Sequence, residues 1–477
     1  MRGRQLPSSN QRASRSDAVA VWHCSTAKGM SMRRPTRFPK IAGVVAALIA
    51  ATSLVVAVPA AAAAPPPPQS DPFYQPPAGY ESTTPGTVLR SRTVSVAAFG
   101  ALPQKVRAWQ LLYRTTDTQD RPQATVTTVL LPWGAKPSKS RPLLSYQVAE
   151  DSAAPQCAIS YQLRQGAGNE NIVAQAEILL INAAVREGWA VSVPDYEGPK
   201  SAYVAGKQAG QATLDGIRAA QNFTPLGLDG ANTKVGMWGY SGGALASGWA
   251  AELQPSYAPE LNVKGVAEGG LPVNPEHVLQ GANRGVFAGI AMSGIAGISQ
   301  AYPELQQFLD TYLTTEGKAA IAKARSQCNN ANVQEFLFTD IYQYFTIADP
   351  LSQPVPKAVL AAATMGQRTP TAPLFVYHSV NDELVPAADT DQVVEKYCAS
   401  GGNVAYQRDI LSEHIALVIT GAADALNWLK ARLGDKPAAP GCSTKTVLSS
   451  LLSPGALSTF GLVLYNDLLA LLGRPIR

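Results

Sequence analysis

The stretch Gly239-Tyr240-Ser241-Gly242-Gly243 joins a strand-like run, Thr233 to Trp238, to a helix-like run that begins at Ala244. This spacing is typical of a nucleophile elbow, in which a serine occupies a sharp, strained turn and presents its hydroxyl above a sheet. Glycine at the flanking positions lets strand and helix approach closely. Because a chain with 39 glycines can contain Gly-x-Ser-x-Gly by chance, the interpretation depends on whether partners for the serine exist.

A serine hydroxyl needs a general base to act as a nucleophile. In hydrolases that carry this elbow the chain order is serine, acid and histidine. Of the four histidines only His414 follows both partners, just before a helix-like run, 416–433. His23 lies in a leader segment, and we interpret His277 as a helix-start or surface residue. His378 lies on an apolar strand, so we predict a buried core histidine whose replacement costs stability rather than activity.

The acid should come just after an earlier strand. The run Leu374 to His378 is apolar and β-prone, and Asp382 and Glu383 follow it. We assign Asp382 as the acid that would accept a hydrogen bond from the His414 ring, with Glu383 as the fallback. An aspartate beside an asparagine is also a common turn former, so the assignment depends on three positions occurring in the required order.

The first 64 residues have the pattern of a secretory signal peptide. Met1 to Lys40 is basic, Ile41 to Val58 is apolar, and small residues suited to a cleavage site follow. The long polar prefix suggests that translation starts at Met30 or Met32. An uncleaved membrane anchor is the alternative, and the prolines at 65–68 favour cleavage and secretion.

The formal charge of +5 comes from this leader. Its 64 residues hold nine Lys and Arg and one acid, so the remainder has 30 basic and 33 acidic residues. No basic stripe with interleaved aromatic residues occurs, which argues against nucleic acid as a partner.

Five cysteines become four once Cys24 is removed with the leader, and four cysteines in an exported chain favour two disulfides. Three pairings are possible. We favour Cys157 with Cys328 and Cys398 with Cys442, the second of which encloses the His414 segment. The spacings do not match a zinc site, and we expect neither a metal nor a cofactor.

The remaining pattern predicts an α/β fold. Strand-like runs at 93–99, 108–115 and 125–131 come first without helices, and strands and helices then alternate, which indicates a doubly wound, mostly parallel sheet. The carboxyl ends of parallel strands meet at one edge of such a sheet, and Ser241, Asp382 and His414 all fall there.

The alternation stops between Leu271 and Thr371, where the content turns helical. We predict a core formed by 65–270 and 372–442, a helical cap at 271–371 and an apolar tail at 443–477. The cap's run Gly285 to Ile298 either faces substrate or packs on the core. The tail either forms a flap near the pocket or covers the core.

An oxyanion site needs two backbone donors. Gly242, directly after the nucleophile, supplies one, and the loop Glu150-Asp151-Ser152 after an early strand is the candidate for the other.

Taken together, these residues resemble the secretory lipases similar to Candida antarctica lipase A, a family with the α/β-hydrolase fold. The resemblance runs from about Asp71 to Cys442. Its motifs are Ser145-Tyr146-Gln147, Glu150-Asp151-Ser152, the Ser241 elbow, Asn381 to Pro386, Glu413-His414 and the opening Asp71-Pro72-Phe73-Tyr74.

The resemblance implies Ser241 as nucleophile, Asp382 as acid, His414 as base, and Asp151 and Gly242 as oxyanion donors. It also implies a helical lid and the two disulfides favoured above. The expected function is a secreted triacylglycerol lipase that acts as a monomer, with ester substrates and contact with a lipid–water interface. A short-chain or bulky-substrate esterase, an acyltransferase and a non-catalytic hydrolase-fold binding protein stay open as alternatives.

Overall fold

The computed structural model describes residues 64–168 and 170–477. The predicted signal peptide, apart from its last residue, lies outside the described residues, as do Cys24 and the candidate start codons. The described chain combines one large sheet with helices on both faces.

The sheet has ten strands in the order β1-β4-β5-β7-β6-β8-β9-β10-β11-β12, and β2 and β3 form a separate pair. The strands β1, β4, β5 and β7 pair antiparallel, and every pairing from β7 to β12 is parallel. The strands are β1 (Val88–Thr93), β2 (Ala97–Ala98), β3 (Leu102–Pro103), β4 (Arg107–Thr116), β5 (Pro122–Leu131), β6 (Leu143–Gln147), β7 (Ala190–Pro194), β8 (Val235–Tyr240), β9 (Val263–Gly269), β10 (Leu374–Ser379), β11 (Val404–Asp409) and β12 (Cys442–Val447).

The α-helices in the described residues are α1 (Ile159–Gln162), α2 (Ile172–Ala176), α3 (Ile178–Arg186), α4 (Gly206–Gln221), α5 (Gly242–Tyr257), α6 (Pro275–Ala282), α7 (Ala288–Ala301), α8 (Pro303–Tyr312), α9 (Thr315–Ala324), α10 (Asn329–Glu335), α11 (Pro354–Ala363), α12 (Ala387–Ala399), α13 (His414–Thr420), α14 (Ala422–Leu433) and α15 (Ala456–Leu471). None of them is both long and apolar enough to cross a bilayer.

Apolar clusters cover both faces of the sheet, as a doubly wound fold requires. Residues of α4 and α5 pack on one face, and residues of α3 and α14 pack on the other. The parallel strands β6, β7 and β8 are buried along their whole length, which is why they read as continuous apolar runs. The predicted mostly parallel α/β fold is confirmed.

Several predicted element boundaries are wrong. The first strand is Val88–Thr93 rather than 93–99, because Ala97 and Ala98 pair with Leu102 and Pro103 outside the main sheet. The helix expected over 416–433 begins at His414 and divides at Gly421. A side chain at Gly421 would lie 2.6 Å from the Tyr377 ring, so a close approach explains the glycine there.

Between β9 and β10 the chain forms six α-helices, α6 to α11, whose apolar residues form one cluster with Tyr203, Leu384 and Val385 of the neighbouring loops. Beyond Cys442 the predicted tail instead forms β12, which pairs with β11 at the edge of the sheet, and then α15, which contacts α14 and α3. The tail therefore extends the sheet and covers the α14 side of the core.

Two disulfides join distant parts of this fold. Cys157 bonds to Cys328, which links the segment after β6 to the start of α10, and Cys398 bonds to Cys442, which links α12 to β12. These are the pairs favoured from the sequence.

Candidate active site

Ser241 lies in the turn between β8 and α5, with φ 53° and ψ −122°. A non-glycine residue in this region of backbone space is strained, and such strain is characteristic of nucleophile elbows. The Ser241 amide donates to the carbonyl of Gly269 on β9 at 2.8 Å, which fixes the turn. The hydroxyl is thereby presented beyond the carboxyl end of the sheet.

The flanking glycines are needed because backbone meets backbone at this turn. A Cβ at Gly239 would lie 2.1 Å from the Gly243 carbonyl oxygen, and a Cβ at Gly243 would lie 2.0 Å from the Gln147 carbonyl oxygen. Neither carbonyl can move aside like the end of a flexible side chain.

We expect Gly243→Ala to destabilise the fold by several kcal/mol, because the added methyl group would push α5 away from β6. The matched control is Gly281→Ala, whose Cβ would meet no atom within 4 Å and which should be neutral or stabilising by about 0.5–1 kcal/mol. Thermal unfolding of both variants would measure the difference. Equal melting temperatures would contradict the steric explanation.

His414 begins α13, directly after the N-cap residue Glu413. Its ring Nε2 lies 2.9 Å from the Ser241 Oγ, and its backbone N–H donates to Glu383 Oε2 at 2.7 Å. The Tyr240 hydroxyl donates to the His414 carbonyl at 2.5 Å. These backbone contacts hold the residue while leaving both ring nitrogens available.

Asp382 completes this arrangement, with Oδ2 2.7 Å from His414 Nδ1. Its Oδ1 accepts hydrogen bonds from the amides of Leu384 and Val385, at 3.0 and 2.6 Å. Burial alone would raise the pKa of Asp382, but the hydrogen bond and charge of His414 outweigh burial and lower it. The fallback residue Glu383 contacts the His414 backbone rather than the ring.

The other two described histidines differ in their relation to this site. His277 lies on α6 and pairs with Asp389 at 2.8 Å, as a surface residue does. His378 is fully buried, as expected, but its Nε2 lies only 3.4 Å from Asp382 Oδ2. The prediction that His378 serves stability alone therefore overlooked a contact with the acid.

The two expected oxyanion donors are neighbours. Gly242 is the first residue of α5, so its N–H has no acceptor within the helix. Asp151 has φ 50°, and its Oδ1 would lie 1.9 Å from a Cβ at Gly242. Burial raises the pKa of Asp151 to about 6, although the charge of His414 and a hydrogen bond from Tyr203 lower it. The strained backbone turns the Asp151 loop toward the nucleophile.

Comparison with known proteins places this arrangement in a family. The model of the family described as secretory lipase matches residues 163–441. Lipase A of Arthroderma benhamiae is 44% identical over 85% of this chain and 88% of its own. The crystal structure of Candida antarctica lipase A in its closed state superposes with a TM-score of 0.79, at 33% identity over 85% of this chain and 96% of that one. The chain belongs to the secretory lipase family.

Two further relatives bear on activity. A secreted triacylglycerol lipase of Malassezia furfur is 34% identical to this family member over 85% of the chain and 84% of its own. A "Probable inactive lipase" of Mycobacterium tuberculosis is 41% identical over 77% of the chain and 82% of its own. Similarity of sequence alone therefore does not separate active from inactive members, and the site geometry has to be considered.

Buried acids lie in and around the loop Glu150-Asp151-Ser152 of this secretory lipase, and of these the sequence pattern had pointed only to Glu150. Glu150 and Glu197 follow β6 and β7 and are almost fully buried. Burial raises the pKa of both, and Glu150 raises the pKa of Glu197 further. Burial also raises the pKa of Glu177 to about 8 and that of Asp195 to about 7. The only sequence signal was the presence of acids directly after two strands.

An apolar cavity lies among the helices after β9. It is lined by residues of α5, α6, α7, α8 and α11, of the loops between them and of the loop before α4. Its lining includes Tyr203, Val204, Leu245, Val278, Leu279, Ile290, Ala291, Gly294, Ile295, Ile298, Leu305, Phe308, Leu309, Phe345, Leu351 and Leu360. Within the run Gly285 to Ile298, Gly294 and Ile295 line this cavity and Gly297 packs on Tyr203.

Proposed function

We propose that this chain is a secreted serine hydrolase that cleaves acylglycerol esters through Ser241, His414 and Asp382. The observation that carries the proposal is the His414 ring, which lies 2.9 Å from the Ser241 hydroxyl on one side and 2.7 Å from the Asp382 carboxylate on the other. This is the relation of nucleophile, base and acid that acyl transfer requires.

In the first half of the reaction the Ser241 oxygen attacks the ester carbonyl while His414 Nε2 takes its proton. Asp382 accepts a hydrogen bond from the Nδ1–H of His414 and stabilises the imidazolium. The carbonyl oxygen becomes an oxyanion, which the amides of Asp151 and Gly242 would bind. His414 then protonates the leaving alcohol, and the acyl group stays on Ser241.

In the second half a water molecule gives its proton to His414 and attacks the acyl carbonyl. The oxyanion forms again at the same donors, and its collapse releases the fatty acid as the proton returns to Ser241. No step needs a metal or a cofactor.

The apolar cavity supports a long acyl chain as the bound group. Its lining has no charged side chain, which suits an alkyl chain that gains free energy as it leaves water. We propose that residues 271–371 form a cap over a core of 65–270 and 372–442, and that the acyl chain lies beneath this cap.

Exposed apolar side chains beside the histidine segment support contact with lipid. The Leu411 amide donates to the Leu448 carbonyl, so the segments before α13 and after β12 lie together. These two segments and α13 itself expose Ile410, Leu411, Ile415, Ile419, Leu448 and Leu452. Contiguous exposed apolar groups mark interaction surfaces, and we propose that this one faces the lipid–water interface.

The proposal of secretion is based on the leader pattern and on the two disulfides. Two disulfides, one of them buried, are stable in an oxidising compartment and rare in the cytosol. The family's description and the secreted relative agree with export. We therefore propose cleavage of the leader near residue 64.

The test is hydrolysis of p-nitrophenyl esters from acetate to palmitate, with Ser241→Ala in parallel. We expect kcat/KM to rise toward long chains, and Ala291→Phe, which narrows the cavity, to lower palmitate hydrolysis while sparing butyrate. Activity confined to short chains would make the protein an esterase. Hydrolysis of palmitate unaffected by Ala291→Phe would contradict the cavity as the acyl site.

A non-catalytic binding protein is the second candidate, because a close relative is named as inactive. In this chain the serine, acid and histidine are all present and within hydrogen-bonding distance. The esters are therefore also tested with an alcohol acceptor such as methanol in place of water. If no ester is turned over under either condition, a non-catalytic binding protein is favoured over an esterase or acyltransferase.

A further inference from the structure

A second histidine lies against the carboxylate proposed as the triad acid. His378 is on β10, four residues before Asp382, and both side chains are fully buried. The His378 Nε2 lies 3.4 Å from Asp382 Oδ2 and 3.1 Å from the carbonyl oxygen of Val385. The same Oδ2 is the oxygen that faces the His414 ring.

The surroundings fix the protonation of the His378 ring. Nε2 faces two oxygens that only accept hydrogen bonds, so it carries the proton. Nδ1 lies 3.1 Å from the Thr390 hydroxyl, whose proton can go either to Nδ1 or to the Leu271 carbonyl, also at 3.1 Å. Burial lowers the pKa of His378 despite the nearby Asp382 charge, so the ring is neutral and has a single N–H.

We propose that His378 is a positioning residue for the acid: its Nε2–H donates to the Val385 carbonyl and lies beside Asp382 Oδ2, with Nε2 at 3.4 Å, and so orients the carboxylate plane toward His414. The proposal rests on the proposed function of the Ser241 site. His378 contacts neither substrate nor the reacting atoms, and it acts through Asp382.

The geometry explains why such a residue is needed. The amides of Leu384 and Val385 hold Asp382 Oδ1 from one side, but Oδ2 would have His414 as its only other partner. A carboxylate can rotate about its terminal bond, where the torsional wells are broad. The N–H edge of the neutral His378 ring beside Oδ2 restricts this rotation without adding a charge, so the carboxylate stays ionised.

The experiment compares His378→Leu, which removes the donor, with His378→Gln, whose amide N–H can replace it. Each variant is titrated with a fluorophosphonate that labels the nucleophilic serine, so that kcat is expressed per reactive site. We expect kcat on p-nitrophenyl butyrate to fall about ten-fold in His378→Leu with KM unchanged, because the carboxylate is then less well aligned with His414. We expect His378→Gln to recover most of the loss.

The matched control is His277→Gln, a histidine change at the surface that should leave kcat per site unchanged. A spectroscopic readout is the low-field proton resonance of the His414–Asp382 hydrogen bond, which should shift in His378→Leu and stay near its wild-type position in His378→Gln. If His378→Leu does not fold, Thr390→Val is the second variant, because it removes the hydroxyl beside His378 Nδ1. We expect it to lower kcat by a smaller factor than His378→Leu would.

A lowered melting temperature with unchanged kcat per labelled site and an unshifted resonance would overturn the proposal and leave His378 a structural residue. Failure of the proposed function looks different, since Ser241→Ala would then match the wild type in activity or the wild type would take up no label.

Discussion

Replacing Ser241 with alanine is expected to lower kcat for ester hydrolysis by roughly 10⁵-fold, the range seen when a triad nucleophile is removed. The substitution removes one oxygen from a side chain at the elbow and keeps a Cβ whose strained position the structure already accommodates. The loss should therefore lie in catalysis and not in folding.

The measurement is kcat on p-nitrophenyl butyrate together with the melting temperature. Ser256→Ala is the matched control, because Ser256 lies on the same helix and its hydroxyl bonds only the Leu253 carbonyl. His414→Ala should lose nearly as much as Ser241→Ala, and the double variant should lose no more than either, because the two residues act as one unit. Retained activity in Ser241→Ala would remove Ser241 from the mechanism.

The parts of this site that the sequence predicts share one physical origin. Ser241, Asp382 and His414 each follow a strand in a parallel sheet, and such a sheet brings the strands' carboxyl ends to one edge. Local pattern was enough to assign the strands β8, β10 and β11, and the topology then brings their ends together. Gly239 could be interpreted from the sequence as well, because the contact that requires it is made within a single strand-turn-helix unit. The contact that requires Gly243 is made with Gln147 on the neighbouring strand β6.

Contacts made across the sheet and between loops left no comparable signal. The sequence suggested that His378 was buried but not that its ring points to Asp382, since the intervening turn decides this. The acids Glu150 and Glu197 lie far apart in sequence and meet only because β6 and β7 are neighbours. The tail showed no apolar alternation that would separate a strand from a loop, so β12 was missed.

Buried acids should make the folded protein more stable at pH 5 than at pH 8. Burial raises the pKa of six carboxyl groups into the range of about 6 to 8: Asp151, Glu177, Asp195, Asp215, Glu268 and Asp467. In the unfolded chain these groups ionise near pH 4. Their stabilisation is therefore complete below about pH 4 and is lost as the pH rises through the folded-state values.

Among these acids, Glu268 is expected to contribute most to the pH dependence of stability. It lies on β9, fully buried, and within the described part of the chain neither carboxyl oxygen has a hydrogen-bond partner. Burial, with a smaller effect from the charge of Glu252, raises the pKa of Glu268 to about 8. Ionising it at pH 8 would cost on the order of 4 kcal/mol, because no donor is placed to receive the charge.

We expect the melting temperature to fall by on the order of 10 °C between pH 5 and pH 8. Glu268→Gln keeps the shape of the protonated acid without an ionisable proton, so it should flatten this slope and raise the melting temperature at pH 8. Glu316 is exposed, so Glu316→Gln is the control and should leave the pH dependence of the melting temperature unchanged. A melting temperature that rises from pH 5 to pH 8 would mean that the interior solvates these carboxylates as ions. The buried acids around residues 150–152 would then be ionised in the folded protein rather than protonated.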